Sequence, residues 1–330
     1  MPLLQFTKKG IYCAQADVYI DPWRPVKKAF LTHGHADHAR YGSEQYLCTD
    51  LALPVIKYRL GIVNISGIKY GEEVIVNGVK FSFHPAGHVI GSAQIRVEHK
   101  GEIWVVSGDY KVENDGISTP FEPIKCQHFV TESTFALPVY KWKPQQEIIN
   151  EINTWWLKCK AENKVALLTA YSLGKAQRII QNVDEKIGKI FTHGAIENIN
   201  QVIREQGIDL AKTYLVTKEI SKSDLKGALV ICPPSAVDSP WAKKLKPYSV
   251  GIASGWMALR GQRRRRAADR GFVLSDHADW NGLISAIDAT EAENIYVTHG
   301  YSDIFSKFLR EEKGLNAKVL ETEFETESEE

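Results

Sequence analysis

The stretch Thr32-His33-Gly34-His35-Ala36-Asp37-His38 holds four potential metal ligands within six residues. It directly follows Ala29-Phe30-Leu31, and a short continuous apolar run predicts a strand that is buried on both faces. Side chains two residues apart in an extended segment point the same way, so His33 and His35 can chelate one ion. The alternative, a set of solvated loop residues, does not explain three histidines and one aspartate at this spacing.

The second half of the stretch predicts a place for another ion. Asp37 and His38 open a predicted helix over residues 37–45, from which both side chains can turn toward a second ion beside the first. Mixed imidazole and carboxylate ligands suit zinc, and they also suit manganese or iron. The sequence therefore predicts metal chemistry directly after a strand.

Three further ligand residues follow other strand-like runs. His88, Asp109 and His299 each come just after an apolar segment of this kind. A single histidine in such a place is more often a hydrogen-bonded structural residue. However, the ends of neighbouring strands in an α/β sheet meet at one edge, so we expect the three side chains to join the first group. A carboxylate at Asp109 could bridge both ions.

The chain is long enough for one large domain or two interleaved ones, with 330 residues of which 44% are apolar. Between residues 145 and 255, strand-like runs alternate with helical stretches such as Gly174–Ile187, which predicts a parallel sheet with helices on its faces. The run Phe272-Val273-Leu274 indicates a return to the first sheet. We therefore predict an α/β protein with a first domain over 1–144, an insertion over 145–255, and a return over 256–330.

The charge of the chain is unevenly distributed, although its net value is only +1. The last ten residues, 321–330, hold six Glu and neither Lys nor Arg, so the rest of the chain is mildly basic. Arg263, Arg264, Arg265 and Arg266 form a dense basic run whose guanidinium groups could bind the phosphates of a nucleic acid. The alternative for this run is a solvated helix face.

A second possible phosphate contact lies in the middle segment. Ser172 and Lys175 follow a predicted strand and open a predicted helix, where backbone amides could cradle a phosphate. The earlier glycine of a P-loop is missing, and packing alone could also explain Gly174 at this position.

Several classes of protein are excluded by composition. No apolar run approaches the ~18 residues that a membrane helix needs, so we expect no membrane partner. The N-terminal residues lack the apolar segment of a secretory signal. Five scattered cysteines, odd in number and without a Cys-x-x-Cys pair, indicate a reducing compartment, and we expect a cytoplasmic location.

The ligand pattern resembles the signature of the metallo-β-lactamase fold, with Asp21 as the preceding motif residue. His88, Asp109 and His299 match the remaining ligand motifs in order. The middle segment is similar to the inserted β-CASP domain of the members that process nucleic acids. The resemblance therefore implies a metallo-β-lactamase αββα sandwich with an inserted α/β β-CASP domain.

Further motifs narrow the resemblance. Glu132 is similar to the acidic motif A of the β-CASP group, His277 to motif B and His299 to motif C. The segments 255–257, 263–266 and 274–280 are most similar to the bacterial ligase-associated DNA exonucleases, a group of metallophosphodiesterases linked to DNA repair. A histidine at motif C, in contrast, resembles the β-CASP enzymes that process RNA.

The resemblance implies two divalent ions, Zn²⁺ or Mn²⁺. It assigns one ion to His33, His35 and His88, a second ion to Asp37, His38 and His299, and a bridging role to Asp109. Two adjacent cations acidify a water molecule and neutralise charge on the attacked phosphate. Asp21 would lie behind the ligands and fix the tautomer of an imidazole.

The implied catalytic residues are His277, Glu132, Asp37 and Asp109. His277 would bind the scissile phosphate and protonate the leaving oxygen, while Glu132 would position or polarise it. Asp276 and Asp279 are interpreted as a helix cap and a helix-start residue. The remaining histidines considered are expected to be structural, namely His84, His99, His128 and His193.

The resemblance implies a two-metal phosphodiesterase that hydrolyses DNA, preferably single-stranded, in DNA repair or processing, with a functional link to a DNA ligase and a helicase. One alternative, motivated by His299, is an RNA endonuclease or exonuclease of the same architecture. Another is a small-molecule hydrolase, which would need neither the insertion nor the run Arg263–Arg266. The last alternative is a non-catalytic scaffold. Such a protein would be expected to lack some of the ligand residues, whereas every ligand position is filled in this sequence.

Overall fold

The computed structural model describes residues 2–259, 261 and 268–320. The strands of this part of the chain are β1 (Gln5–Thr7), β2 (Gly10–Cys13), β3 (Val18–Ile20), β4 (Lys28–Phe30), β5 (Gln45–Thr49), β6 (Ile65–Ile68), β7 (Glu73–Val76), β8 (Val79–Pro85), β9 (Ala93–His99), β10 (Glu102–Val106), β11 (His128–Glu132), β12 (Val165–Thr169), β13 (Ile190–Thr192), β14 (Tyr214–Leu215), β15 (Leu229–Cys232), β16 (Tyr248–Ala253), β17 (Arg270–Phe272), β18 (Asn294–Thr298) and β19 (Asn316–Val319).

The α-helices described are α1 (Leu53–Leu60), α2 (Gln145–Ala161), α3 (Lys175–Asn182), α4 (Gly194–Glu205), α5 (Lys222–Leu225), α6 (Pro240–Lys243), α7 (Trp280–Thr290) and α8 (Ser302–Glu311). Among the residues that the structure describes, no helix combines the length and the apolar character that crossing a membrane requires. All five cysteines are buried as free thiols, so none takes part in a disulfide.

The chain divides into two compact units. One comprises the described residues up to Lys141 together with those from His277 onward, and the other is Trp142–Asp276. The second unit thus extends further than the predicted insertion over 145–255. The reason is β17, which pairs in parallel with β16 and so adds an edge strand to the sheet of the second unit. The run Phe272-Val273-Leu274 therefore does not return to the first sheet.

The first unit is a sandwich of two sheets. One sheet has the order β1-β2-β3-β4-β5-β6, and the other has the order β19-β18-β11-β10-β9-β8-β7. Their facing sides share one apolar core, in which the rings of Phe30 and Phe81 meet edge to face with centroids 5.0 Å apart. Helix α1 packs on the outer face of the first sheet, and α7 and α8 pack on the outer face of the second. The predicted αββα sandwich is confirmed.

Parallel pairing in the second sheet of this sandwich aligns the ends of its central strands. Strand β11 pairs in parallel with β10 on one side and with β18 on the other. The register places Glu132 opposite Thr298, so the residues that follow β10, β11 and β18 emerge at the same edge. Asp109 follows the end of β10, Glu132 is the last residue of β11, and His299 follows β18, so all three lie at this edge.

The second unit is built on a parallel sheet. Its order is β14-β13-β15-β12-β16-β17, and every pair of neighbours in it is parallel. Helices α2 to α4 alternate with its strands, which is the arrangement that the strand–helix alternation of the sequence predicts. The helix predicted over 174–187 is shorter in the structure, where α3 ends at Asn182.

The helix predicted over residues 37–45 is absent from the structure. The segment forms two short turns, at 36–38 and at 41–42, and the first is closed by a hydrogen bond of 2.8 Å from the backbone N of Ala39 to the backbone O of His35. Gly42 has φ +111°, which no α-helix accommodates, and a Cβ there would lie 3.0 Å from Pro25. Because Gln45 already begins β5, the chain has no room for a helix before the next strand.

The core of the sandwich gives a stability prediction. Phe81 is fully buried, whereas Ile75 on the neighbouring strand β7 is 63% exposed. We expect Phe81→Ala to lower the free energy of unfolding by about 3–5 kcal/mol because it leaves a cavity between the two sheets. The matched change Ile75→Ala should alter it by less than about 0.5 kcal/mol. Urea unfolding followed by tryptophan fluorescence measures both values, and equal effects would place Phe81 outside the core.

Candidate metal centre

The first group of ligand atoms comes from three separate segments of the sandwich. The ligand atoms of His33, His35, His88 and Asp109 all lie within 4.8 Å of one another. His88 Nε2 is 3.1 Å from His35 Nδ1, and His33 Nε2 is 3.5 Å from Asp109 Oδ2. Such a set of three imidazole nitrogens and one carboxylate can hold a divalent cation.

The second group is formed by Asp37, His38 and His299, whose ligand atoms also lie within 4.8 Å of one another. The distance from His38 Nε2 to Asp37 Oδ2 is 3.6 Å. His38 Nε2 is also 3.5 Å from Asp109 Oδ2, the same oxygen that lies 3.5 Å from His33. Asp109 thus stands between the two groups, in the position where a bridging carboxylate is needed.

Asp21 lies behind the ligands, where it contacts His38 directly and His33 through Thr32. Its Oδ2 atom accepts a hydrogen bond of 2.7 Å from Nδ1 of His38, and its carboxylate also accepts hydrogen bonds of 2.8 and 2.5 Å from the backbone N and Oγ1 of Thr32. The bond to Nδ1 leaves Nε2 as the ligand nitrogen of His38. Asp21 itself has φ +42°, and this left-handed conformation ends β3 under the site.

Two threonines that the sequence analysis did not single out contact candidate ligand histidines. Thr32 Oγ1 donates its proton to Asp21, so it accepts from Nδ1 of His33 over 3.0 Å and leaves Nε2 of that ring for a cation. Thr298 Oγ1 lies 2.5 Å from Nδ1 of His299. The string Thr-His-Gly occurs at 32–34, 192–194 and 298–300, and only the first and last of these carry a candidate ligand, so the string alone did not identify the two threonines.

Glycines beside the ligands allow the strand ends to approach each other. Gly108 precedes Asp109, and a Cβ on it would lie 2.6 Å from the side chain of Thr32. Gly300 follows His299, and a Cβ on it would lie 2.4 Å from the backbone O of Ser133. Both glycines have positive φ, where an L side chain is also strained. A larger residue at either position would push two ligand-bearing segments apart.

Burial controls the protonation of two of the imidazoles. Burial lowers the pKa of His33 well below its ordinary value, and the neighbouring His38 lowers it further. Burial also lowers the pKa of His299. Both rings therefore favour the neutral form, which is the form that ligates a metal.

Neighbouring charges, rather than burial, set the direction of the pKa shifts of His38 and Asp109. Burial lowers the pKa of His38, but Asp109, Asp37 and Asp21 outweigh that effect and hold it well above the ordinary value. Burial raises the pKa of Asp109, but His38 and the other nearby imidazoles bring it well below the usual range. The carboxylates therefore attract positive charge to this point, which is the charge that a cation supplies.

Buried polar atoms without hydrogen bonds test whether a metal fits the site. Nε2 of His33 and Oδ1 of Asp109 are both buried and make no hydrogen bond within the described part of the chain. An unsatisfied buried polar atom costs about 1–3 kcal/mol, so native proteins rarely leave two in one place. Both atoms belong to the donor types that bind zinc and manganese, and the residues present therefore fit a divalent cation.

A histidine–carboxylate pair adjoins the ligands. Nδ1 of His277 lies 2.8 and 3.0 Å from the two carboxylate oxygens of Glu132, and both residues are buried. Glu132 also accepts a hydrogen bond of 2.8 Å from the backbone N of Tyr110, which fixes its Oε1 atom. The ring of His277 lies 4.6 Å from that of His88, centroid to centroid. The structure therefore brings the predicted pair to the edge of the predicted metal centre.

The structure does not place the predicted phosphate contacts in an open phosphate site among the described residues. Arg263, Arg264, Arg265 and Arg266 lie outside the described residues. Lys175 is buried, and its Nζ atom is 3.5 Å from Oδ2 of Asp276. The backbone N of Gly174 donates to the side chain of Gln177 over 2.8 Å. The amide and the ammonium that were expected to hold a phosphate with Ser172 are therefore engaged inside the unit.

The histidines expected to be structural lie outside the ligand groups of the described residues. His193 caps the N-terminus of α4, where its Nδ1 accepts from the backbone N of Ala195 over 3.1 Å. His84 contacts Ser82 through Nε2, His99 contacts the backbone O of Gly78, and His128 stacks on Trp104 with ring centroids 4.2 Å apart.

The architecture and the site together define a class. Two sheets packed face to face, with helices outside and ligands converging at one edge, form the metallo-β-lactamase fold. The parallel α/β unit inserted into its chain corresponds to a β-CASP domain. The chain is thus a protein of the metallo-β-lactamase fold with a β-CASP insertion, as the sequence motifs predict.

Known proteins resemble the chain in sequence and in structure, although no family model matches it. A "Probable DNA ligase" of Opitutus terrae is 28% identical over 315 residues, which cover 94% of this chain and 30% of that protein. An "Endoribonuclease YSH1" of Kluyveromyces lactis is 31% identical over 123 residues, which cover 37% of this chain and 16% of that protein. The chain spans less than a third of the length of either relative.

A solved structure shows that the fold is shared. The structure of a protein of unknown function from Enterococcus faecalis V583 matches with a TM-score of 0.59 at 12% sequence identity. The match covers 90% of this chain and 80% of that chain, and at this identity it concerns the fold alone.

The position of Asp109 gives a prediction for metal content. We expect the purified chain to bind about two divalent ions, and Asp109→Asn to weaken their retention by more than about tenfold because the shared carboxylate is lost. His84→Gln is the matched control, because His84 lies outside both ligand groups. Elemental analysis after dialysis measures all three proteins. Equal metal content in wild type and Asp109→Asn would remove Asp109 from the centre.

Proposed function

We propose that this chain is a metal-dependent phosphodiesterase of the β-CASP type that hydrolyses DNA, preferably single-stranded, in DNA repair or processing. The observation that carries the proposal is the position of Asp109 Oδ2, 3.5 Å from a histidine of each ligand group. Two cations side by side suit the hydrolysis of a phosphodiester better than that of an uncharged substrate, because the attacked group is itself an anion. The similarity to an endoribonuclease supports the same class of reaction.

The ligand residues are proposed to hold two divalent ions, the first by His33, His35 and His88 and the second by Asp37, His38 and His299. Bound there, the ions would neutralise charge on the phosphate and make water a nucleophile at neutral pH. Asp109 would hold both. Nitrogen-rich ligands favour zinc, while manganese also accepts such mixed sites.

His277 is proposed to protonate the leaving oxygen. Its Nδ1 atom faces the carboxylate of Glu132, which fixes the ring plane and stabilises a positive charge on the imidazole. The proton delivered to the leaving oxygen then comes from Nε2, the nitrogen that Glu132 does not contact. Once the oxygen has left as a neutral hydroxyl, the ring can be protonated again from solvent. Glu132 in this scheme holds the acid and does not touch the substrate.

DNA is the proposed polymer, and RNA is the second candidate. The relative that aligns with 94% of this chain is named a probable DNA ligase, which also supports a functional link to ligation. The link to a helicase is proposed from the motif resemblance alone. His299 and the similarity to an endoribonuclease favour RNA. Arg263–Arg266 remain proposed contacts of the phosphate backbone, and a cytoplasmic location remains a proposal from the cysteine pattern.

An assay on matched substrates tests the polymer. We expect the protein with Mn²⁺ or Zn²⁺ to cleave end-labelled single-stranded DNA at least about tenfold faster than RNA of the same sequence. Product lengths on a denaturing gel also separate cleavage from an end from internal cleavage. Robust cleavage of RNA with inert DNA would establish the second candidate, and no cleavage of either polymer would contradict the proposed function.

The role of His277 gives a prediction that depends on the leaving group. We expect His277→Ala to reduce hydrolysis of an ordinary dinucleotide phosphodiester by about 100-fold or more, because its alkoxide leaving group needs a proton. Hydrolysis of a p-nitrophenyl phosphodiester should fall by less than about tenfold, because that leaving group departs without one. Metal content, measured in parallel, should not change. Equal losses on both substrates would exclude His277 as the acid.

A further inference from the structure

A half-buried arginine contacts the ligand loop, residues 33–38. Arg59 lies near the end of α1, and its Nη1 atom donates a hydrogen bond to the backbone O of Gly34. Gly34 separates His33 from His35, which are two candidate ligands of the first ion. The guanidinium group of Arg59 therefore lies at the edge of the candidate metal centre, although Arg59 belongs to neither ligand group.

The charge of Arg59 is only partly compensated within the described part of the chain. Burial lowers the pKa of its guanidinium, and the nearby carboxylate of Asp37 acts in the opposite direction. Asp37 is itself a candidate metal ligand, so a bound cation would take up the negative charge that attracts Arg59. A guanidinium has five N–H donors, and burying it without an anionic partner is costly. This position therefore favours an anion that binds from solution.

An exposed aromatic ring lies close to the ligand loop in the chain. Tyr41 is 70% exposed. It follows Asp37 by four residues, so the Cα atoms of the two residues are at most about 14 Å apart. Arg40 Nε donates to the backbone O of Asp37 over 3.2 Å, which ties this segment to the ligand loop. The ring of Tyr41 is therefore presented near the candidate metal centre.

The turn that carries Tyr41 is held at both ends by one hydroxyl group. The hydroxyl of Tyr46 donates to the backbone O of Arg40 over 2.9 Å and accepts from the backbone N of Ser43 over 2.7 Å. The Tyr41 ring thus projects from a restrained backbone. An aromatic ring on such a backbone can bind a planar partner at a low cost in conformational entropy.

An arginine and an exposed aromatic ring beside a cation site match the chemistry of a single nucleic-acid strand. Arginine forks bind phosphate oxygens, and aromatic rings stack on unpaired bases of any sequence. A small phosphodiester would fill only the cation site, whereas a polymer also brings neighbouring phosphates and bases. Both Arg59 and Tyr41 belong to the unit that holds the candidate ligands.

We propose that Arg59 and Tyr41 bind a single nucleic-acid strand beside the candidate metal centre. Arg59 binds a phosphate next to the scissile one, and Tyr41 stacks on an unpaired base. This inference rests on the proposed phosphodiesterase function and deepens it, because it names two residues that hold the substrate strand. Arg40 has a supporting role, since it fixes the segment from which Tyr41 projects.

The test measures binding separately from cleavage. The metal-loaded protein is titrated into a fluorescently labelled oligothymidylate of about 12 nucleotides, whose phosphorothioate linkages resist hydrolysis. Fluorescence anisotropy gives the affinity over a range of salt concentrations. For single-stranded DNA, the logarithm of the affinity falls with the logarithm of the salt concentration by about 0.7 per neutralised phosphate, so the slope reports phosphate contacts. Metal content is measured for every variant.

We expect Arg59→Gln to weaken binding about tenfold or more and to reduce the salt slope by about 0.7, because one phosphate contact is lost. Arg59→Lys should keep the slope but recover only part of the affinity, because an ammonium lacks the fork of a guanidinium. Lys57→Gln is the matched control, since it removes the same charge from an exposed position about 200° away around α1. Its affinity and salt slope should stay close to those of wild type.

Tyr41→Ala should weaken binding about fivefold or more at an unchanged salt slope, because stacking involves no phosphate. Tyr41→Phe keeps the ring and should bind within about twofold of wild type. Binding of a duplex of the same length should not respond to Tyr41→Ala, because its bases are already stacked on each other. Since Tyr41 is exposed, both variants are expected to fold as the wild type does.

Several outcomes would overturn the inference. An unchanged salt slope in Arg59→Gln, or an equal change in Lys57→Gln, would remove the phosphate contact. Loss of metal from Arg59→Gln together with its affinity would show that this arginine only supports the ligand loop. Unchanged affinity of Tyr41→Ala, or an equal loss on the duplex, would remove the stacking contact. If Arg59→Gln does not fold, wild-type affinity in Arg59→Lys would exclude a guanidinium fork on phosphate.

The binding measurement also separates this inference from the proposed function. A wild-type protein that binds the oligothymidylate with these variant effects, but cleaves no polymer, would contradict the proposed function and support the strand contacts. A protein that cleaves DNA while Arg59→Gln and Tyr41→Ala both bind as wild type does would overturn the strand contacts alone.

Discussion

The site depends on a single buried carboxylate oxygen. Oδ2 of Asp109 lies between His33 and His38, and each of these histidines belongs to a different ligand group. A buried carboxylate is unfavourable on its own, and here the surrounding imidazoles offset that cost. Since β4, β10 and β18 each supply one part of this environment, the two sheets must pack correctly for the oxygen to reach its place. Formation of the candidate metal centre therefore depends on correct packing of the sandwich.

Residues next to the candidate ligands orient their side chains. Asp21 and Thr32 set which nitrogen of His38 and His33 is available, and neither would contact a cation. Gly108 gives the side chain of Thr32 the space it occupies. The ligands are therefore oriented by hydrogen bonds before any ion binds, which reduces the ordering that binding would otherwise require.

The sequence predicted which candidate ligand side chains lie close together, because their signal is local. His33 and His35 are two apart after a strand, and Asp109 and His299 follow strands whose parallel pairing brings them to one edge. The αββα sandwich, the inserted parallel sheet and the class of protein were likewise predicted. The roles of His277 and Glu132 were proposed from motif resemblance, and the structure places the two side chains in contact.

The failures have a common physical origin, namely that they depend on long-range partners. The sequence predicted a helix over residues 37–45, but Gly42 lies next to Pro25 in a left-handed conformation. The apolar run that begins at Phe272 suits either sheet, and only the pairing of Arg270–Phe272 with β16 assigns this strand to the second unit. Lys175 resembles a phosphate ligand locally, whereas its partner Asp276 is a hundred residues away. Spacing along the chain cannot reveal which carboxylate a buried lysine meets.

The position of β18 has a consequence for biosynthesis. This strand lies between β11 and β19, and it is made long after β11 has left the ribosome. Until then β11 lacks its neighbour on that side and presents an open edge. A nascent chain that stops short of His299 holds the first ligand group but lacks a member of the second. The second ligand group would therefore be completed only late in translation, when the final strands close the sheet.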